Sequence, residues 1–203
     1  MGALMGKLIA VIGNTAVGKT TLVQRLAAAA PFVIGLEQHG ERPFQRAFAA
    51  DLTRYALANQ IDYLLLRAEQ EQWLRAQPGI GLVDGGLDED FQIFARHFHA
   101  KGYMTDAEFA LCGRFYALTR QLLPPPDLYI YLTAPLAVLE SRYRRRSRSL
   151  EIARVDDLAA MDDLVAGWMA AERMTPVFTV DASTEDYCAP AAIAALLTAI
   201  EGT

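Results

Sequence analysis

The run Gly13-Asn14-Thr15-Ala16-Val17-Gly18-Lys19-Thr20 sets two glycines, a lysine and a hydroxyl at the spacing G-x-x-x-x-G-K-[ST]. Residues of these types at this spacing hold phosphate. The glycines let backbone N–H groups curl around phosphate oxygens, Lys19 brings a point charge to the β and γ groups, and the Thr20 hydroxyl is a ligand for Mg²⁺. The run taken to bind the nucleotide extends to Thr21. The motif alone does not separate a kinase from a hydrolase or a nucleotide switch.

A carboxylate follows further on, in Gly81-Leu82-Val83-Asp84-Gly85-Gly86. Asp84 has the chemistry to take a proton from an attacking hydroxyl or to help hold Mg²⁺, and Asp-Gly is also a common turn pair. Gln60 and Arg67 stand seven positions apart and therefore share one helical face. Arg142, Arg144, Arg145, Arg146 and Arg148 crowd together in a chain of formal net charge -5. Such a cluster repels itself unless anions are near, so it reads as an anion-facing segment, a solvated basic helix end or an RNA-contacting patch.

The elements that must carry these residues follow from apolar pattern and punctuation. Lys7 to Ile12 is a short β-branched run ending at glycine, as in a buried parallel strand, and a helix is expected from Lys19 to Ala30. Further strands are expected at Phe32 to Leu36, Ile80 to Val83, Leu128 to Leu132 and Val177 to Val180. A long helix is predicted over Asp51 to Ala76, with two more over Leu87 to Lys101 and Thr105 to Leu123, the last stopped by Pro124 to Pro126. This β/α alternation predicts a three-layer α/β fold on a parallel sheet, with ligands at the carboxyl ends of its strands.

Composition narrows the partners. The 203 residues are 53% hydrophobic and 21% charged, enough apolar material for one core, and the acidic balance argues against a polynucleotide partner. Cys112 and Cys188 stand in no metal-like spacing, which fits a reducing cytoplasm, and no segment reads as a membrane span. His97 and His99 are expected at the surface, Trp73 and Trp168 in core or interface, and no metal beyond Mg²⁺ is indicated.

Several further segments occur in a fixed order: Glu37 with Arg42-Pro43-Phe44 and Phe48, then RYALANQIDYLLLR, DGGLDEDFQIF from Asp84 to Phe94, Gly102 to Met104 with Glu108, LLPPPDLYIYL, and the arginines running on to Glu151. In that order they resemble the deoxynucleoside kinase family. The resemblance implies a P-loop kinase sandwich of one domain over residues 1–203, with a five-stranded parallel sheet and an arginine-rich lid at about 142–151. It implies ATP and Mg²⁺ as cofactors, with ATP on residues 13–21 and under Arg146 and Arg148, the metal at Thr20 and Asp84, and Asp84, Lys19, Arg142 and Arg146 in catalysis. Glu37 is implied near the acceptor's 5′-hydroxyl, Gln60, Arg67 and Asp90 as the group that reads the base, Phe94 as its stacking partner and Glu151 at the sugar's 3′-hydroxyl. The implied reaction is 5′-phosphorylation of a deoxynucleoside, a purine by preference, in nucleotide salvage. The implied assembly is a homodimer, or a heterodimer with a related kinase subunit.

Two positions depart from the family pattern. Gly85-Gly86 stands in place of Arg-Ser, and Ala49 in place of a sugar-contacting Tyr. They leave room for a weakly active or regulatory nucleotide-binding subunit, or for another small hydroxyl compound as acceptor.

Overall fold

A computed structural model describes residues 6–36, 42–146 and 153–202. The first strand, β1 (Leu8–Gly13), is buried along its whole length. Side chains alternate across a strand, so Ile9 and Val11 enter one core while Leu8, Ala10 and Ile12 enter another. Both faces are covered, which is why β1 reads as an unbroken apolar run.

Four parallel strands join it, β2 (Val33–Gly35), β3 (Gly81–Asp84), β4 (Leu128–Thr133) and β5 (Val177–Asp181), in the order β2-β3-β1-β4-β5. The expected five-stranded parallel α/β fold is therefore present. On one face α1 (Lys19–Ala29) and α9 (Pro190–Glu201) bury Leu22, Leu26, Ile193 and Leu196 against the sheet. On the other, α3 (Leu52–Arg75) and α8 (Leu158–Ala171) contribute Leu74, Met161 and Val165. A third cluster joins α2 (Gln45–Ala50), α3 and α6 (Asp106–Leu122) through Phe48, Leu64, Phe91, Phe98 and Cys112.

The chain leaves β1 for one side of the sheet and reaches β4 on the other, so the carboxyl ends of β3, β1 and β4 form a switch point where a ligand crevice is expected. Register brings the site to that edge. Val11 pairs with Asp84, and the Gly85 N–H donates to the Val11 carbonyl at 2.9 Å.

The helix expected over Leu87 to Lys101 is not a uniform α-helix. It runs as α4 (Leu87–Glu89), a π-helical turn Asp90–Ala95, and α5 (Arg96–Ala100). Short π segments are frequent at functional sites. Inside this one the Asp90 carbonyl also accepts from Gln60 Nε2 at 2.9 Å, and Phe91 stacks on Tyr116 with centroids 4.4 Å apart.

One sequence expectation fails here. His97 is buried at 3% exposure, its Nε2 3.3 Å from Asp157 Oδ1, because α5 packs against α8 on this side; burial holds its pKa below the ordinary imidazole value. Of the two tryptophans expected in core or interface, Trp168 packs edge-on to Tyr129 as a core residue does, and Trp73 is half exposed on the outer face of α3.

Candidate active site

The phosphate motif forms the turn between β1 and α1, where helix N–H groups are unpaired. Lys19 Nζ donates to the carbonyls of Gly13 (2.7 Å) and Asn14 (3.2 Å), curling back along the loop. Asn14 fixes the loop from below: its amide donates to the Leu158 carbonyl and to Asp162, and its Oδ1 accepts from the Thr15 N–H. Gly18 adopts φ +115°, and a Cβ there would lie 2.2 Å from the Tyr187 hydroxyl, so glycine is required on two counts. Val17, Ala16 and Thr21 complete the wall.

Asp84 ends β3 at 1% exposure and accepts a hydrogen bond from the Thr20 hydroxyl through Oδ2. Its Oδ1 is buried with no hydrogen-bond partner among the described residues. An orphaned carboxylate oxygen beside a loop hydroxyl fits a hard cation such as Mg²⁺, which uses one or two carboxylates together with phosphates. Past Asp84 the chain turns through Gly85 (φ +79°) and Gly86 (φ +112°).

On the far side, Arg67 Nε pairs with Asp90 Oδ2 at 2.9 Å, both side chains less than a tenth exposed. Arg67 also donates to Gln70, whose amide donates to the Leu36 carbonyl, so the pair is braced from β2's end. Gln60 is buried beside them and Phe94 borders the same space. One cavity of about 430 Å³ runs from the phosphate loop past Asp84 to this polar group. It thus joins an anion cradle to a pocket with a charged pair and an aromatic ring.

The deoxynucleoside kinase family model matches residues 9–200. The chain belongs to that family. A deoxyadenosine/deoxycytidine kinase of Bacillus subtilis (strain 168) is 30% identical over 147 residues, covering 71% of this chain and 68% of the relative. Among solved structures, deoxyadenosine kinase from M. mycoides with dCMP and a flexible dCDP superposes with TM-score 0.81 at 21% identity. The same enzyme with dCTP gives 0.79 at 20%, and both cover 97% of this chain and 100% of the neighbour. At those identities the two structures speak to the fold.

The arginine-rich segment begins on α7 (Leu136–Arg146). Arg142 donates to the Val17 carbonyl at 3.0 Å and lies 3.3 Å from Glu185, so it grips the phosphate loop where it borders the cavity. Arg145 and Arg146 border the cavity, whereas Arg144 turns outward to Glu140. Glu37, Arg148 and Glu151 lie outside the described residues. Ala49 is exposed, and Tyr63 and Gln45 border the cavity from α3 and α2.

Sequence reasoning missed Glu89. It is 4% exposed, lies 3.0 Å from Lys19 and accepts from the Gly13 N–H at 3.1 Å. Burial pushes its pKa up to about 7; Lys19 opposes the shift and Asp84 adds to it. Tyr187 and Glu185, from the 3-10 turn Glu185–Cys188, were also missed, since nothing near them in sequence marks a site. A buried network beneath the turn was missed as well. Asp88 accepts from Tyr116, Tyr129 and Arg120, each at 2.7 Å, and Arg120 makes two bonds to Glu71 at 2.8 and 2.9 Å. Glu71 in turn accepts from the Leu87 N–H.

Proposed function

We propose that this kinase transfers the γ-phosphoryl group of ATP to the 5′-hydroxyl of a deoxynucleoside, in nucleotide salvage. The observation that carries the reading is the single cavity joining the phosphate loop to the Arg67–Asp90 pair. The loop and Lys19 hold the triphosphate, and Arg145 and Arg146 bring positive charge to the transferring group, where such charge is worth most. Thr20 and Asp84 would hold Mg²⁺, which neutralises charge on the β- and γ-oxygens. Asp84 takes the proton, through the carboxylate oxygen not given to the metal, as the 5′-oxygen bonds to phosphorus, and the bond from phosphorus to the β–γ bridging oxygen breaks to release ADP.

The base is read by Gln60 and by the Arg67–Asp90 pair, with Phe94 against its face. An ionised Asp90 held by Arg67 is an acceptor for an exocyclic amino group, which supports a purine such as adenine, or cytosine, over thymine. Glu37, Arg148 and Glu151 are proposed at the 5′-hydroxyl, the phosphates and the 3′-hydroxyl. Exposed Leu65 and Trp73 on α3 and Leu111, Leu118 and Leu122 on α6 support a dimer packed through these helices.

The test is phosphate transfer from MgATP to the four deoxynucleosides and their ribose counterparts, with Lys19→Ala and Asp84→Asn as controls. Transfer to one base, lost in both variants, supports the reading. ATP binding without transfer supports instead a partner-dependent subunit, which the Gly85-Gly86 turn favours because it carries no guanidinium beside the reacting oxygens.

A further inference from the structure

Asp88, Glu89 and Asp90 are consecutive and buried, and they lead to three different places. Asp88 reaches the network under the turn and Asp90 reaches Arg67. Glu89 reaches the phosphate loop. Its Oε1 meets the Lys19 ammonium and its Oε2 meets the Gly13 N–H, so donors from the two ends of the motif converge on one carboxylate. Of side chains this long, only a carboxylate offers an acceptor oxygen to each; an amide offers one and turns donors toward the other.

Lys19 is otherwise held by two backbone carbonyls of its own loop, which makes Glu89 its contact with the acceptor side. The Gly85-Gly86 turn makes room for this. A Cβ at Gly85 would lie 3.0 Å from Glu89 Oε1 and 3.6 Å from an Arg67 nitrogen, so the carboxylate occupies space that a side chain at position 85 would take. Among the described residues, the charges acting on Glu89 include Lys19 on α1 and Asp84 at the end of β3, and Arg67 on α3 borders the same glycine turn.

We propose that Glu89 is a positioning residue for phosphoryl transfer: its carboxylate sets the Lys19 ammonium and the Gly13 amide in register with the acceptor pocket, tying the phosphate loop to the turn that bears Asp84 and Asp90. This rests on the kinase reading above. The same carboxylate competes with ATP phosphates for Lys19. Its removal therefore frees the lysine to bind ground-state phosphate while losing the orientation that the transition state needs.

The experiment compares wild type with Glu89→Gln at pH 8. Loss of a charge-assisted hydrogen bond predicts a fall in kcat of about 10- to 100-fold. KM for the nucleoside is expected to stay within about twofold, and the ATP dissociation constant from calorimetry to tighten by about threefold or more as a like charge is removed. Glu89→Ala, which leaves no amide behind, must move kcat and ATP affinity the same way. A kcat within threefold of wild type, or weaker ATP binding in a variant of unchanged melting temperature, overturns the proposal. If wild type phosphorylates no deoxynucleoside, the kinase reading falls; unchanged or weakened ATP binding in Glu89→Gln would then also overturn the role of Glu89, and tightening would support it.

Discussion

Replacing Arg120 by methionine keeps most of the aliphatic stem and removes the cation that faces Glu71 and Asp88. The two carboxylates do not suffer equally. Asp88 keeps the Tyr116 and Tyr129 hydroxyls, both at 2.7 Å, whereas Glu71, at 1% exposure, keeps the Leu87 N–H at 3.1 Å. Breaking a buried ion pair from one side costs about 3–5 kcal/mol, chiefly through the charge left behind. That is a large part of the roughly 5–15 kcal/mol that holds a domain together. Urea denaturation at a fixed m-value should show the loss, and at about 2–4 °C per kcal/mol the melting temperature should fall by roughly 6–20 °C. Adding Glu71→Met to Arg120→Met removes the stranded charge and should recover most of the loss, while adding Asp88→Asn should recover less. A single variant within about 1 kcal/mol of wild type, or a Glu71 double variant no better than the single, would refute the reasoning.

Glu89 predicts a pH dependence of stability with an unusual sign for a carboxylate. Its pKa is about 7 folded against 4.5 in the reference state, so the folded chain binds the extra proton between those values; the stabilising contribution is full below pH 4.5 and gone above 7. The shift corresponds to about 3 kcal/mol, and Glu89→Gln should remove that slope in urea titrations between pH 5 and pH 8; equal slopes in both proteins would count against it. Gly18→Ala should abolish transfer and lower the melting temperature, and Gly18→Ala with Tyr187→Ala should recover only part, because strain at φ +115° remains after the clash is gone. Arg67→Met should raise KM for the nucleoside by about tenfold or more while leaving KM for ATP near wild type; steady-state kinetics with each substrate varied separately would decide it.

The donor half of the site was legible because its chemistry is local. A phosphate loop is one run of residues between a strand and a helix, and strand-to-helix period shows in β1 and α1 directly. Gln60, Arg67 and Asp90 were legible as a group only through motif order, since their meeting depends on how α3 crosses the turn after β3. Glu89 was not legible. In sequence it is the middle of three acidic residues, a pattern that reads equally well as a solvated turn, and its burial comes from β1 and α1 packing over it. Tyr187 reaches Gly18 across 169 positions, a distance no local pattern spans. The π-helical turn was hidden for a related reason: the apolar spacing of Phe91 and Phe94 suits an ordinary helix, and the wider turn shows only in the backbone bonding.

The run from Asp88 to Asp90 behaves like a reading frame. Each position is acidic, so composition there carries little information, yet each delivers its carboxylate to a different address. Moving the chain by one residue would leave the same letters in the wrong slots, with Asp88 under the phosphate loop and Glu89 against Arg67. The segment should therefore tolerate many substitutions outside its contacts and almost no insertion or deletion. Gene libraries varied in length across 84–95 should lose function far more often than libraries varied in identity at the same sites.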